Sequence, residues 1–236
     1  MINYLLFDLD GTLTDSAEGI INSVKYTADK LGLAEPDRDT LRKFIGPPLA
    51  ESFSKLLGLP QDEIKHAISV YREYFSAVGI YENRLYPWTA ELLVMLRAAG
   101  FKMAVATSKP EVYAGNIITR FQLEKYFDCI CGIPLDNEKM TKSEVIAQAL
   151  KRLGVSDRSE ALMIGDRSYD VIGARQNGIA CMGVTFGYGT REELLDAGAE
   201  YIGTEDTKAL LEQLLRLHGF TFETLPPSLA AVTGSR

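Results

Sequence analysis

Apolar, strand-like runs alternate with stretches of helical periodicity along this chain of 236 residues. The runs are "INYLLFD" near the start, "FKMAVATS" (101–108), "YFDCICG" (126–132), "EALMIGD" (160–166) and "IACMGVTFG" (179–187), and each ends in small or acidic residues. Between two of them, Val145, Ile146, Ala149, Leu150 and Leu153 fall on one helical stripe. Another stripe holds Leu92, Leu93, Leu96 and Ala99, and stops at Gly100, a residue suited to the left-handed turn that ends a helix. Strands that alternate with helices in this way predict an α/β fold with a parallel sheet.

One connection breaks the rhythm. A parallel crossover needs about a dozen residues, yet the first strand ends near Asp8 and the next convincing one starts near Phe101. The residues between read as helical, with Ile20, Val24, Ala28 and Leu31 on one stripe and Ile64, Ile68, Tyr71 and Phe75 on another. Compact domains seldom hold structureless loops of that length, so the stretch predicts an inserted helical subdomain over the carboxyl ends of the strands, where ligands bind in open α/β sheets. The expected organisation is a Rossmann-like parallel core over 1–15 and 81–218 with a small α-helical cap domain over 16–80. Residues 219–236, with Pro226-Pro227 and no clear period, read as a C-terminal extension.

Composition narrows the class. Hydrophobic residues make up 46% and charged residues 24%, as in soluble globular proteins. No window approaches the roughly 18 apolar residues of a membrane span, and the first residues lack a secretory signal pattern, so the expectation is a cytoplasmic protein without a membrane partner. Cys129 and Cys131, two apart, and Cys181 sit in apolar contexts and read as buried reduced thiols. A closed zinc site needs four N or S ligands, and the only histidines, His66 and His218, have no ligand-like neighbours. A net charge of −7, with a pI near 5.0 and no Lys/Arg-rich run, argues against a nucleic-acid polymer as partner. A small phosphorylated metabolite fits, because one or two local cations and a metal can hold it. The default assembly is a monomer or weak homodimer.

The candidate chemistry is acidic. Asp8 and Asp10 lie two apart at the end of the first run and face the same side if the strand persists that far, and Gly11 lets the backbone curl around an anion. Alone, "DLDG" serves equally well as an acidic strand end closing a turn. In "MIGDRSYDVIGA", Asp166 follows a second apolar strand and Asp170 comes four residues later, on the same face of a helix, where first-turn acid also suits capping. Both clusters end strands of one sheet, which predicts a shared acidic pocket. Several carboxylates in one pocket repel one another and call for a cation; all-oxygen ligands favour Mg²⁺.

"DLDGTLTDS", "ATSKP", Lys142 in "TKSEVIAQAL" and "GDRSYD" together resemble the four motifs of the haloacid dehalogenase-like hydrolase superfamily, in the right order across nearly the whole sheet domain. The long insertion resembles the helical cap of its phosphoglycolate phosphatase-like and 5′-nucleotidase-like members. The resemblance implies a Mg²⁺-dependent phosphomonoesterase for a small metabolite, phosphoglycolate-like or a nucleoside monophosphate. Asp8 would be the nucleophile that forms an aspartyl-phosphate, and Asp10 the acid that protonates the leaving alkoxide and then the base for the hydrolytic water. Asp8, the Asp10 carbonyl and Asp166 would hold the metal, with Asp170 in or just outside that shell. Thr107, Ser108 and Lys142 would bind the phosphoryl group. Without the aspartates, Thr107 and Ser108 read as a strand-to-helix turn and Lys142 as a solvated lysine at a helix start. A phosphosugar mutase of the same superfamily, and a regulatory protein that keeps the fold without turnover, are the alternatives.

Within the insertion, "KFIGPPLAESF" offers a contact loop: Gly46 permits close approach and Pro47-Pro48 stiffen the chain beyond it, although a plain interhelical turn has the same composition. Lys43, beside Arg42, could meet an anionic substrate there or be solvated. "GYGTREEL" (187–194) lacks the spacing and position of a dinucleotide-binding loop. Trp88 stands where relatives commonly carry glycine, and either packs as core or narrows the entrance.

Overall fold

The computed structural model describes residues 1–137 and 139–219. Strand β1 (Tyr4–Phe7) is followed by the short β2 (Thr14–Asp15) and helices α1 (Ala17–Lys30), α2 (Arg38–Lys43), α3 (Leu49–Leu57) and α4 (Gln61–Tyr74), the last continuing into a π-helical turn at Phe75–Gly79. The chain returns through β3 (Arg84–Leu85) to α5 (Thr89–Ala98), β4 (Lys102–Pro110), α6 (Glu111–Arg120) and β5 (Cys129–Ile133). It then runs through α7 (Lys142–Leu153), β6 (Ala161–Gly165), α8 (Ser168–Gln176), β7 (Ala180–Val184), α9 (Arg191–Ala197), β8 (Tyr201–Gly203) and α10 (Thr207–Leu217).

Six strands form one parallel sheet in the order β5-β4-β1-β6-β7-β8. The chain winds outward from β1 through β4 to β5, then crosses to β6 on the other side of β1 and winds outward again. That reversal opens a crevice over the carboxyl ends of β1 and β6, the topological switch point where doubly wound folds place their ligands. Alternate strand residues feed two cores. Leu5, Phe7, Met103, Val105, Leu162 and Ile164 belong to one buried cluster, while Leu6, Ala104, Ala106, Ala161 and Met163 belong to another with Val145, Ile146 and Leu150 of α7. Both faces are therefore covered, which is why the strands read as nearly continuous apolar runs.

The long connection is a helical insertion with one feature that the periodicity did not signal. β2 and β3 pair antiparallel, Thr14 opposite Leu85 and Asp15 opposite Arg84, so the helices sit on a two-stranded stalk. Strands of two residues are too short to print a period. Within the insertion α1 buries Ile20, Val24 and Ala28, and α4 buries Ile64, Ile68 and Tyr71. No helix among the described residues is long and apolar enough to cross a membrane. The extension expected over 219–236 lies, apart from Gly219, outside the described residues.

Candidate active site

β1 ends at Phe7, so Asp8 and Asp10 leave the strand on a tight turn. The N–H of Asp8 still donates to the Ile164 carbonyl at 2.9 Å, which ties the turn to β6. Gly11 makes the bend with φ +82°, and a Cβ there would lie 2.2 Å from Oδ2 of Asp166. Only glycine accommodates both the left-handed backbone and that approach. Asp8 and Asp10 then meet different lysines, Lys142 and Lys109.

Asp8 joins Asp166 and Asp170. The three are buried, and one carboxylate oxygen of each lies within 4.8 Å of the others. Lys142 sits among them, its Nζ 2.8 Å from Oδ1 of Asp8 and 2.7 Å from Oδ1 of Asp170. It occupies the first turn of α7, behind a capping box in which Thr141 and Glu144 exchange hydrogen bonds. A cation at a helix N-terminus opposes the helix dipole, so helix stability does not explain this lysine; the carboxylates it meets do. Asp166 is held on both oxygens, accepting from the Thr12 hydroxyl at 3.3 Å and from the Tyr188 backbone N–H at 2.8 Å. Asp170 accepts the Arg167 N–H on its other oxygen at 3.1 Å, so it caps α8 while facing Lys142.

Three buried carboxylates against one ammonium leave the cluster short of positive charge. Burial, then repulsion from Asp170 and Asp8, pushes the Asp166 carboxyl well above the ordinary range. Burial also pushes Asp170 up to about 6, although Lys142 pulls the other way. For Lys142, burial works to lower the value, but Asp170 and Asp8 outweigh it and hold the ammonium above an ordinary lysine. Asp8, Asp166 and Asp170 could hold a divalent cation: the oxygens converge, they are hard donors, and a charge of that sign relieves their repulsion.

Asp10 has a different partner. Its Oδ2 lies 2.9 Å from Nζ of Lys109, and its Oδ1 has no partner among the described residues. Lys109 is buried, and its ammonium also stands 4.6 Å from the centroid of Phe75. Asp10, Ser108 and Lys109 form one wall of a cavity of ≈ 60 Å³, and Phe44, Gly46, Tyr71 and Phe75 of the helical insertion face them.

The remaining expected residues divide. Thr107 is buried and its hydroxyl accepts the Lys109 N–H at 3.2 Å, a turn-closing bond. The Ser108 hydroxyl is buried without a partner among the described residues. Gly46 lines the cavity with Asp10, but Lys43 is exposed and borders a separate surface hollow with Lys55, Arg167 and Tyr169. Trp88 stacks on Tyr86, and both meet Phe186 edge-on, with centroids 5.3 and 5.1 Å away.

Sequence reasoning passed over Lys109, Thr12, Tyr188 and Arg167. Lys109 had a signal, since it lies at the same strand end as Thr107 and Ser108. The others carry none, because their role depends on chain segments that meet only in three dimensions. Gly187 and Gly189 are instructive: a Cβ on Gly187 would lie 2.4 Å from the Asp166 Cβ, and one on Gly189 2.0 Å from the Asp166 carbonyl oxygen. The glycines let the loop after β7 close against Asp166.

A switch-point crevice carrying converging carboxylates and a buried lysine is consistent with an enzyme acting on phosphate esters. The pattern of the haloacid dehalogenase-like hydrolases matches residues 5–184. The chain is 44% identical over 190 residues to a 5′-nucleotidase of Pseudomonas aeruginosa, covering 80% of this chain and 86% of that one. It is 31% identical over 205 residues to a phosphoglycolate phosphatase of Colwellia psychrerythraea, with 84% and 90% covered. Among solved structures, a predicted phosphatase from Clostridium acetobutylicum superposes with a TM-score of 0.87 at 46% identity, covering 92% of this chain and 99% of that one. The chain belongs to the haloacid dehalogenase-like hydrolase family. It is a phosphatase acting on phosphate esters.

Proposed function

We propose that this phosphatase is a Mg²⁺-dependent phosphomonoester hydrolase for a small phosphorylated metabolite, working through an aspartyl-phosphate. The observation that carries the reading is the knot of Asp8, Asp166 and Asp170 around Lys142. A free Asp8 oxygen attacks phosphorus and the bond to the leaving alkoxide breaks. Asp10 supplies the proton to that alkoxide, then takes one from the water that attacks the acyl phosphate, returning Asp8 and releasing phosphate. Thr107, Ser108 and Lys142 hold the phosphoryl oxygens, and the ammonium of Lys142 offsets the charge of the nucleophile. Asp8, the Asp10 carbonyl, Asp166 and Asp170 would hold Mg²⁺, which when bound supplies charge neutralisation to the phosphoryl group.

The cavity beside Asp10 is where a leaving group would sit, between Ser108 and Lys109 of the core and Phe44, Tyr71 and Phe75 of the insertion. The Lys109 ammonium, facing the acid–base aspartate at 2.9 Å, favours an alcohol that carries an anion of its own, as glycolate does. This cation favours the phosphoglycolate-like reading over the nucleotide one. The test is Asp8→Asn assayed with 4-nitrophenyl phosphate and Mg²⁺, followed by a panel of metabolite monoesters on the wild type. The variant loses at least about 10³-fold in turnover; turnover like that of the wild type sinks the nucleophile assignment.

A further inference from the structure

Arg167 lies between Asp166 and Asp170 in the chain, yet its side chain leaves their cluster. Its Nη1 donates to the carbonyl of Ile45, in the loop between α2 and α3. Its Nε donates to Oε1 of Glu193 at 3.0 Å, and Glu193 also accepts the Ser168 N–H and hydroxyl at 2.8 and 2.9 Å. Glu193 is fixed in turn, because its own N–H donates to the Thr190 hydroxyl that caps α9. The guanidinium is thus anchored to the core on one side and bonded to the helical insertion on the other.

The loop it grips lies over the reacting groups. Phe44, Gly46 and Pro47 line the cavity that Asp10 and Lys109 wall from below. Gly46 has φ +105°, and a Cβ there would lie 2.9 Å from Cγ of Arg167, so the loop can close on the arginine only with glycine at that position. Two residues along, the Tyr169 hydroxyl donates to Oε1 of Glu51 on α3 at 2.8 Å, a second tie between the same turn and the insertion. The backbone of Arg167 meanwhile donates to Asp170. One residue therefore holds an acidic ligand with its main chain and the roof of the leaving-group cavity with its side chain.

We infer that Arg167 is a positioning residue that couples docking of the helical insertion to the acidic turn, so that the cavity over Asp10 is closed when the carboxylates are set. The planar guanidinium is suited to this because it bonds two partners at fixed angles at once. The coupling rests on the hydrolase reading for its kinetic consequence alone; the physical link between insertion and turn stands without it. A leaving group that needs a proton depends on a closed, water-excluding cavity. One that departs unassisted depends on it far less.

The test compares Arg167→Met and Arg167→Lys with the wild type, full-length and with Mg²⁺, on 4-nitrophenyl phosphate and on phosphoglycolate as an alkyl ester. Arg167→Met loses about 10-fold in kcat/KM on the alkyl ester, the scale of one charge-assisted hydrogen bond, and less than about 3-fold on the aryl ester. Arg167→Lys recovers only part of the difference, because an ammonium can reach the Ile45 carbonyl but cannot hold both partners as the guanidinium does. In parallel, fluorescence transfer is measured between labels at Lys65→Cys on α4 and Lys151→Cys on α7, both exposed positions, in a Cys129→Ser background. Arg167→Met lowers the transfer. Equal losses on the two esters with unchanged transfer, or no loss on either, overturn the inference and leave Arg167 a support of its own turn. If the wild type hydrolyses neither ester, the hydrolase reading fails while the transfer measurement still decides the coupling. Should Arg167→Met fail to fold, Tyr169→Phe tests the second tie, with a smaller shift in the same direction expected and none overturning it.

Discussion

Two buried lysines divide the cleft between them, and they are set in opposite surroundings. Lys142, on the sheet side, bridges two carboxylates at 2.8 and 2.7 Å inside a cluster with a third. Lys109, on the side of the helical insertion, has one carboxylate at 2.9 Å and an aromatic face at 4.6 Å. The first is surrounded by more negative charge than it can neutralise. The second is balanced, and stands over a cavity with rings on its far wall. The contrast teaches that the two lysines do different work: one answers a charge that the chain itself has concentrated, and the other borders an open cavity.

The largest way to break this contrast is Lys142→Met. Removing one partner of a buried ion pair leaves an uncompensated charge, which costs about 3–5 kcal/mol, and here two carboxylates lose their cation together. A clear fall in Tm in chelator-treated protein is expected, with activity down about 10²-fold or more. Added Mg²⁺ should restore Tm better than activity. A variant that melts like the wild type without metal would show that the cluster does not depend on this ammonium.

A smaller effect comes from Asp170. Its folded value of about 6 lies above the ordinary carboxylate value of 3.8, so between those values the folded chain binds more protons than the unfolded one. Stability from this group is complete below about pH 4 and is lost as pH rises through about 6, by up to about 3 kcal/mol. Chelator-treated wild type should therefore lose Tm across this window relative to Asp170→Asn, as measured by thermal melts at closely spaced pH values. The same loss in both proteins would refute the assignment.

Lys109→Met keeps the packing against Phe75 but removes a buried ion pair, leaving one carboxylate without its cation where Lys142→Met leaves two, so a fall in Tm smaller than that of Lys142→Met is expected. Its signature is in specificity. Turnover of an ester with an anionic alcohol should fall about 10-fold, the scale of a charged hydrogen bond, while that of 4-nitrophenyl phosphate changes little. An equal fall on both would place Lys109 with the phosphoryl group and erase its distinction from Lys142.

Much of this molecule could be read before its shape was known. The apolar runs and helical stripes predict the parallel α/β sheet and the helical insertion, because burial on both faces of a sheet and on one face of a helix each leaves its own period. Asp8, Asp10, Asp166 and Asp170 were visible because acid interrupts an apolar strand end, where nothing in strand formation requires it. The stalk of β2 and β3 was not visible, since two residues carry no period. Lys109 was passed over because a lysine before a proline at a strand end looks like any turn.

What the sequence determined by itself is the set of strand ends, the acidic residues upon them and the family to which they belong. Only the tertiary structure decided that Asp8 and Asp10 meet different lysines, that Tyr188 and its flanking glycines close on Asp166, and that Arg167 reaches the insertion. The reason is physical. Periodicity and motif spacing record what each residue does for its own element, whereas a left-handed glycine, a backbone N–H given to a carboxylate and a guanidinium held between the core and the insertion act between segments far apart in the chain. Local pattern carries no trace of such contacts until the sheet has brought the segments together.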